Sequence, residues 1–256
     1  MRKADIEVFA DFTCPWCYIT TRRMHAAIQM LPPDVLVEVF WRPFPLDAAT
    51  SSSAFDHEGA RRFLTAIGEV EGIKFAFDRI GGAPDTFDAH RLVWFAARDG
   101  QSADLVADVV DRVYRAYFSE GRDIANRATL AEIAAEAGLD AARIAEQLAG
   151  PDGIVKVQAL GRRARALGIE TPPFLLINNI VGIRGSRSTA SLREKIEGGS
   201  WFGIRPAAAP RRNEKEGSHD RARKSPRAPG SLDHTHHGPR ARRTGTSGDR
   251  SVRRTP

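Results

Sequence analysis

Cys14 and Cys17 are the only cysteines in the chain, and they enclose a Pro-Trp pair directly after an alternating apolar run. Ile6-Glu7-Val8-Phe9-Ala10 alternates like a strand and leads into Asp11-Phe12-Thr13-Cys14. Pro15 suits the first position of a helix, where its missing N–H costs no hydrogen bond. The sequence therefore passes from strand to helix at this point, with Cys14 at the helix N-terminus and Cys17 one turn inside. A disulfide closing so small a loop would stabilise the chain little, so the pair reads as catalytic or redox-sensing.

Thiol–disulfide exchange needs an exposed thiolate and a second thiol that resolves the mixed disulfide. Free backbone N–H groups and the positive end of the helix dipole stabilise a thiolate at Cys14, and Cys17 is expected to be the more buried partner. A closed zinc site wants four ligands, whereas there is no second Cys pair and His25 lies eight residues beyond Cys17. No metal and no cofactor are expected. Trp16 either tunes the motif and contacts substrate or covers apolar surface.

The helix from Pro15 to about Met30 is stopped by Pro32-Pro33. Val35-Leu36-Val37-Glu38-Val39-Phe40-Trp41 is β-branched and aromatic and reads as a strand closed by Pro43 and Pro45. Between Ala54 and about Gly150 the pattern turns helical, in roughly four or five elements, with Val106, Val109, Val110, Val113 and Tyr117 on one face. Thr129-Leu130-Ala131-Glu132 has the form of a capping box, Gly138 of a helix end and Asp140 of an N-cap. A helix over about 153–167 leads through Thr171-Pro172-Pro173 to a hairpin, Phe174–Ile177 and Val181–Arg184, turned by Asn178-Asn179. Thr189–Glu197 closes the fold as a last helix.

Without the insertion this order is βαβ followed by αββα, the thioredoxin arrangement. The expected fold is α/β: a thioredoxin-like domain over residues 1–50 and 151–204, an inserted helical domain over 51–150, and a disordered basic tail over 205–256. The tail carries 14 Lys and Arg against 5 Asp and Glu, a surplus larger than the whole chain's +6, so residues 1–204 carry −3. The basic balance is thus no nucleic-acid footprint on the folded part. His234-Thr235-His236-His237 and the scattered arginines are read as solvated extension. Carboxylates interrupt any apolar stretch after Met1-Arg2-Lys3, and no run approaches a membrane span, so a cytoplasmic protein without membrane partners is expected.

Four motifs carry a family resemblance. Phe9-Ala10-Asp11-Phe12-Thr13-Cys14-Pro15-Trp16-Cys17-Tyr18, Thr86-Phe87-Asp88-Ala89-His90-Arg91-Leu92, Ala116-Tyr117-Phe118-Ser119-Glu120-Gly121-Arg122-Asp123-Ile124 and Pro173-Phe174 resemble, in order, the FrnE-like branch of the DsbA-family oxidoreductases. The similarity spans roughly residues 5–200. It implies a thioredoxin fold with an inserted helical domain, Cys14 as nucleophile, Cys17 as resolving thiol, and Pro173 as a cis-proline whose strand edge receives substrate backbone. It also implies protein disulfides or dithiols as substrates.

Related 2-hydroxychromene-2-carboxylate isomerases and kappa-class glutathione transferases share the architecture, usually carry serine at the position of Cys14, and use glutathione. Glutathione is therefore a candidate partner, and a glutathione-dependent isomerase or transferase is the alternative reading. A non-catalytic redox-sensitive interaction protein is a third. Pro172 stands where the family usually has valine, Arg184-Gly185-Ser186-Arg187 replaces a Ser-Gly-Ala-Gln-like stretch, Thr20 replaces a glycine and Asp85 an asparagine. The expected substrate-contacting residues are Pro15, Trp16, Pro172, Pro173 and His90, although His90 has a core reading as well. Tyr117 and Phe118 are expected in the core.

Overall fold

β1 (Arg2–Ala10) lies in the middle of a sheet with β2 (Val35–Pro43), β3 (Phe174–Ile177) and β4 (Val181–Arg184), in the order β2-β1-β3-β4. The structure is a computed structural model that describes residues 1–98 and 101–201. The tail expected over 205–256 lies outside the described residues. β1 pairs parallel with β2, from Arg2 opposite Val35 to Ala10 opposite Pro43, and antiparallel with β3, Phe9 opposite Phe174.

This pairing lengthens β1 beyond the apolar run, because ladder hydrogen bonds and a Lys3 ammonium 3.2 Å from Asp5 and 3.1 Å from Glu38 hold its polar start in line. The period-2 pattern of β1 sets its two faces. Ala4, Ile6, Val8 and Ala10 face a core shared with α1 (Pro15–Gln29) and α9 (Thr189–Ser200), while Phe9 packs with Ala164 and Ile169 on the side of α8 (Ile154–Ala166).

Glu7 sits on that second face and is only 7% exposed. Its carboxylate accepts from Arg42 at 2.8 Å and from Arg163 at 2.5 and 2.6 Å, joining β1, β2 and α8. Burial works to raise the Glu7 carboxyl, and the two guanidinium groups outweigh it, leaving the group below its ordinary range. The hairpin turn is made as expected: Asn178 and Asn179 have φ of 50° and 58°, the positive values this turn demands. Asn178 also donates to Lys3 and Gly199 carbonyls at 3.0 and 2.9 Å and accepts from the Asp5 amide at 2.8 Å.

A short helix, α2 (Ala48–Ser53), follows β2, and between Ala54 and Gly150 the described residues form five α-helices, within the four or five elements expected: α3 (Glu58–Val70), α4 (Phe87–Ala96), α5 (Ala103–Arg115), α6 (Arg127–Glu136) and α7 (Ala141–Ala149). The valine face of α5 is buried as expected, with Tyr117 following on a π-helical turn. That turn ends at Gly121, φ 70°, where a Cβ would stand 2.6 Å from the Arg79 Cβ, so a side chain is excluded twice over. Asp140 caps α7 as expected. The capping box at Thr129 is not formed: Asn126 caps α6 by accepting the Ala128 amide at 2.8 Å, and Glu132 instead accepts from Arg122 at 2.9 Å.

α4 organises this region. Arg91 is 1% exposed and points its guanidinium at the end of α7, donating to the carbonyls of Leu148 (2.9 Å), Gln147 (2.8 Å), Gly150 (2.8 Å) and Asp152 (2.6 Å) and to the Asp88 carboxylate at 2.7 Å. It thereby satisfies carbonyls that a helix end leaves without partners. One hydrophobic core runs through both parts of the chain, from Ile6 and Val8 of β1 to Leu92 of α4 and Val109 of α5. Arg91→Ala should lower unfolding free energy by about 3–5 kcal/mol, because it leaves several buried carbonyls unpaired and takes from Asp88 one of its two arginine partners, Arg127 remaining. Arg91→Lys should recover only part of this, and denaturant unfolding of both variants checks it.

Candidate active site

Cys14 caps α1 in extended backbone conformation, φ −95° and ψ 109°, with Pro15 immediately after it. Its sulfur accepts the Cys17 amide at 3.3 Å and its carbonyl accepts the same amide at 3.0 Å. The first turn of the helix therefore points a backbone N–H at Cys14 Sγ, the arrangement that stabilises a thiolate. Cys17 is 1% exposed, as expected of a resolving thiol. Cys14 is 6% exposed, less open than the chemistry led us to expect, although still the more accessible of the two. Next to it in the chain, Thr13 shares a 2.8 Å hydrogen bond with the hydroxyl of Ser51 in α2, which is itself buried.

Burial pushes the Cys17 thiol well above its ordinary range, and the adjacent Cys14 sulfur adds to this, whereas a hydrogen bond from the Asp11 backbone opposes it. Cys17 is thus a thiol at neutral pH.

Beneath the pair lies a residue to which the sequence reading gave no role. Asp11 is fully buried, and its carboxylate accepts the Phe12 amide at 2.6 Å, the Leu46 amide at 2.5 Å and the Thr13 hydroxyl at 3.3 Å. Its carbonyl accepts from the Cys14 amide at 3.3 Å and the Tyr114 hydroxyl at 3.2 Å. Burial works to raise the Asp11 carboxyl, but His90, the Leu46 amide and the Thr86 hydroxyl together hold it below the usual range, so it stays ionised. The sequence signal was present: a carboxylate that ends an apolar strand three residues before Cys14 has to be either solvated or paired. Only the fold decides between the two.

His90 lies against this carboxylate, with Nε2 3.6 Å from Asp11 Oδ1, an electrostatic contact longer than a hydrogen bond. Its ring stands 4.9 Å from that of Phe12, and Phe12 in turn is 4.9 Å from Tyr114. Burial pushes the Tyr114 hydroxyl well up, with the nearby Cys17, Cys14 and Asp11 adding to the shift. His90 also borders two cavities of about 530 and 400 Å³, one along β2 and α4, the other between α8 and the Pro43-Phe44-Pro45 segment.

The Pro172-Pro173 peptide is cis, with Pro173 buried and its carbonyl accepting the Gly185 amide at 2.9 Å. Extending the β1–β3 register by one residue sets Pro173 level with Ala10, at the end of the sheet where the cysteine segment begins. Pro15 is buried in the first turn of α1. Trp16 is half-buried, its ring 6.1 Å from that of Phe63. Among the described residues, no group of three or more His, Cys, Asp or Glu side chains is placed to hold a metal ion, and no helix is long and apolar enough to cross a membrane.

Comparison with known proteins places the fold among relatives. The uncharacterized protein YwbO of Bacillus subtilis is 27% identical over 143 residues, 54% of this chain and 68% of the relative. A probable DsbA oxidoreductase from Streptomyces coelicolor superposes with a TM-score of 0.65 at 26% identity, covering 79% of this chain and 92% of that one. The cytosolic disulfide reductase DsbM of Pseudomonas aeruginosa shares the fold, with a TM-score of 0.55 at 21% identity over 77% of this chain and 96% of its own. Residues 5–197 match the family described as the DSBA-like thioredoxin domain. With a cysteine at the cap of α1, a second one turn on and a cis-proline at the same end of the sheet, the chain belongs to the DSBA-like thioredoxin domain family.

Proposed function

We propose that the chain is a protein thiol–disulfide oxidoreductase of the FrnE-like branch, acting through Cys14 and Cys17 in the cytoplasm. The observation that carries this reading is the asymmetry of the pair: Cys14 caps a helix and receives a backbone N–H, whereas Cys17 is buried and held protonated. The Cys14 thiolate attacks one sulfur of a substrate disulfide and expels the other as a thiolate. Cys17 then loses its proton and attacks Cys14 Sγ, which releases the substrate's second sulfur as a thiolate. Two electrons pass to the substrate, and the protein is left as the Cys14–Cys17 disulfide. The reverse sequence oxidises a substrate dithiol.

In the reducing direction a low-molecular-weight thiol such as glutathione restores the dithiol. Pro15 and Trp16 border the reacting sulfurs, and the Pro172-Pro173 segment offers a strand edge to substrate backbone, with one N–H fewer than a valine at position 172 would give. Asp11 acts as a positioning residue, tying the cysteine segment to the start of α2 through Leu46 and Thr13.

A glutathione-dependent isomerase or transferase is the second reading, favoured by the two cavities that meet at His90. In that reading His90 faces a small substrate. Glutathione binding that saturates and survives Cys14→Ser with Cys17→Ser would select it.

Disulfide exchange leads to two expected outcomes. Cys14→Ser abolishes insulin reduction and the refolding of a scrambled disulfide protein, and Cys17→Ser accumulates a mixed disulfide on Cys14, visible by mass spectrometry. Because the Cys17 thiol lies well above its ordinary range, its thiolate fraction rises with pH throughout the neutral region. The release step, followed by stopped-flow from a preformed mixed disulfide, should therefore speed up by about tenfold per pH unit between roughly pH 7 and 8.5. A plateau below that range would contradict it.

A further inference from the structure

α3 carries two apolar stripes, and the fold uses one of them. The inner stripe is Leu64, 1% exposed, and Gly68, where a Cβ would stand 2.6 Å from the Phe75 ring, so the helix lies close against that ring. The outer stripe is Phe63, Ala66, Ile67 and Val70, spaced i, i+3, i+4 and i+7 on one helix face. Phe63 is 59% exposed and Val70 82%, Ala66 is exposed, and Ile67 is half-buried against the core. The charges beside the stripe are largely engaged: Arg62 pairs with Glu58 at 2.9 Å, Arg61 donates to the Phe55 carbonyl at 2.8 Å, and Glu71 accepts from Arg23 at 2.6 Å.

The stripe begins beside Trp16 of the cysteine motif. Phe63 is in ring contact with Trp16, at 6.1 Å and 58°, and Trp16 lies between the two cysteines. From Phe63 to Val70 the helix rises about 10 Å, the length of some three residues of extended chain. A small disulfide reaching Cys14 has no use for such a ledge, whereas a polypeptide whose cysteine lies among normally buried residues does. Water leaves apolar surface on both partners when such a segment settles there.

We infer that the outer face of α3, from Phe63 to Val70, is the docking surface for the apolar segment flanking the disulfide of a polypeptide substrate. This rests on the reading of the site as a protein-disulfide exchanger. Trp16 and Phe63 take the side chain nearest the substrate cysteine, and Ile67 and Val70 take the chain running away from it. The stripe then selects polypeptide disulfides flanked by apolar residues over small disulfides.

Two variants test this, Phe63→Ser with Val70→Ser, and Val70→Asp alone, which leaves the neighbour of Trp16 in place. The probes are insulin and glutathione disulfide, with the reduction potential of the cysteine pair measured in parallel. The expected result is a KM for insulin raised about tenfold by the double variant and severalfold by Val70→Asp. Insulin kcat, glutathione disulfide turnover and the reduction potential should stay put, and Phe63→Leu with Val70→Leu should restore the insulin KM. Unchanged insulin kinetics would overturn the inference, and so would an equal loss with both disulfides. A wild-type dimer in sedimentation that dissociates in the double variant would also overturn it, by assigning the face to a second copy of the chain. Failure of the underlying reading is distinguishable, since wild-type protein would then leave insulin unreduced before any variant is made, and the inference would fall with it.

Discussion

The buried carboxylate of Asp11 is the point from which the site is built. A charge withdrawn from water has to be repaid by hydrogen bonds, and Asp11 collects them from the Phe12 amide, the Thr13 hydroxyl and the Leu46 amide, with His90 alongside. Each partner belongs to a different part of the architecture. Phe12 and Thr13 are the turn into α1, Leu46 follows β2, and His90 stands on α4 of the insertion. Satisfying one carboxylate therefore fixes the strand-to-helix turn that carries Cys14, and fixes it against both the sheet and the inserted helices.

The insertion repeats this principle with the opposite charge. Arg91 is buried beside His90 on the same helix, and its guanidinium gathers the carbonyls at the end of α7. Successive residues of α4 thus look in two directions, one toward the cysteine turn and one toward the helices behind it. The Thr86–Leu92 segment is therefore the seam between the two halves of the fold. The common core crosses that seam, so motion of the insertion and the shape of the site are mechanically linked.

The chemistry follows from unequal surroundings imposed on two identical side chains. Cys14 and Cys17 are a turn apart on one helix, but only Cys14 stands at the cap, and only Cys17 is wholly enclosed. Helix geometry sets the proposed nucleophile apart from the proposed resolving thiol, and burial holds Cys17 as a thiol. The outer stripe of α3 adds a third element, apolar surface that the fold leaves uncovered at the edge of the same motif.

Much of this was legible in the sequence because it is local. Pro15 after Cys14 specifies a helix start, β-branched Val35–Trp41 specifies a strand, and Asn178-Asn179 specifies a turn at positive φ, each through backbone preferences that operate within a few residues. The element order and the placing of the cysteine pair at a helix start followed from the same signals. Long-range partners were not legible. Glu7 reads as the solvent side of an alternating strand, and it became a buried ion-pair centre because α8 returns over β1 from more than 150 residues away. Thr129 has the form of a cap, and Asn126 took that place. Asp11 and His90 are 79 positions apart in the chain, and neither residue type says whether it will be solvated or paired. The sequence by itself determined the elements, the turn and the two thiols. Tertiary structure alone decided which charges are buried together and how far Cys14 is covered, because burial and electrostatic pairing depend on distances in space that local backbone preference does not encode.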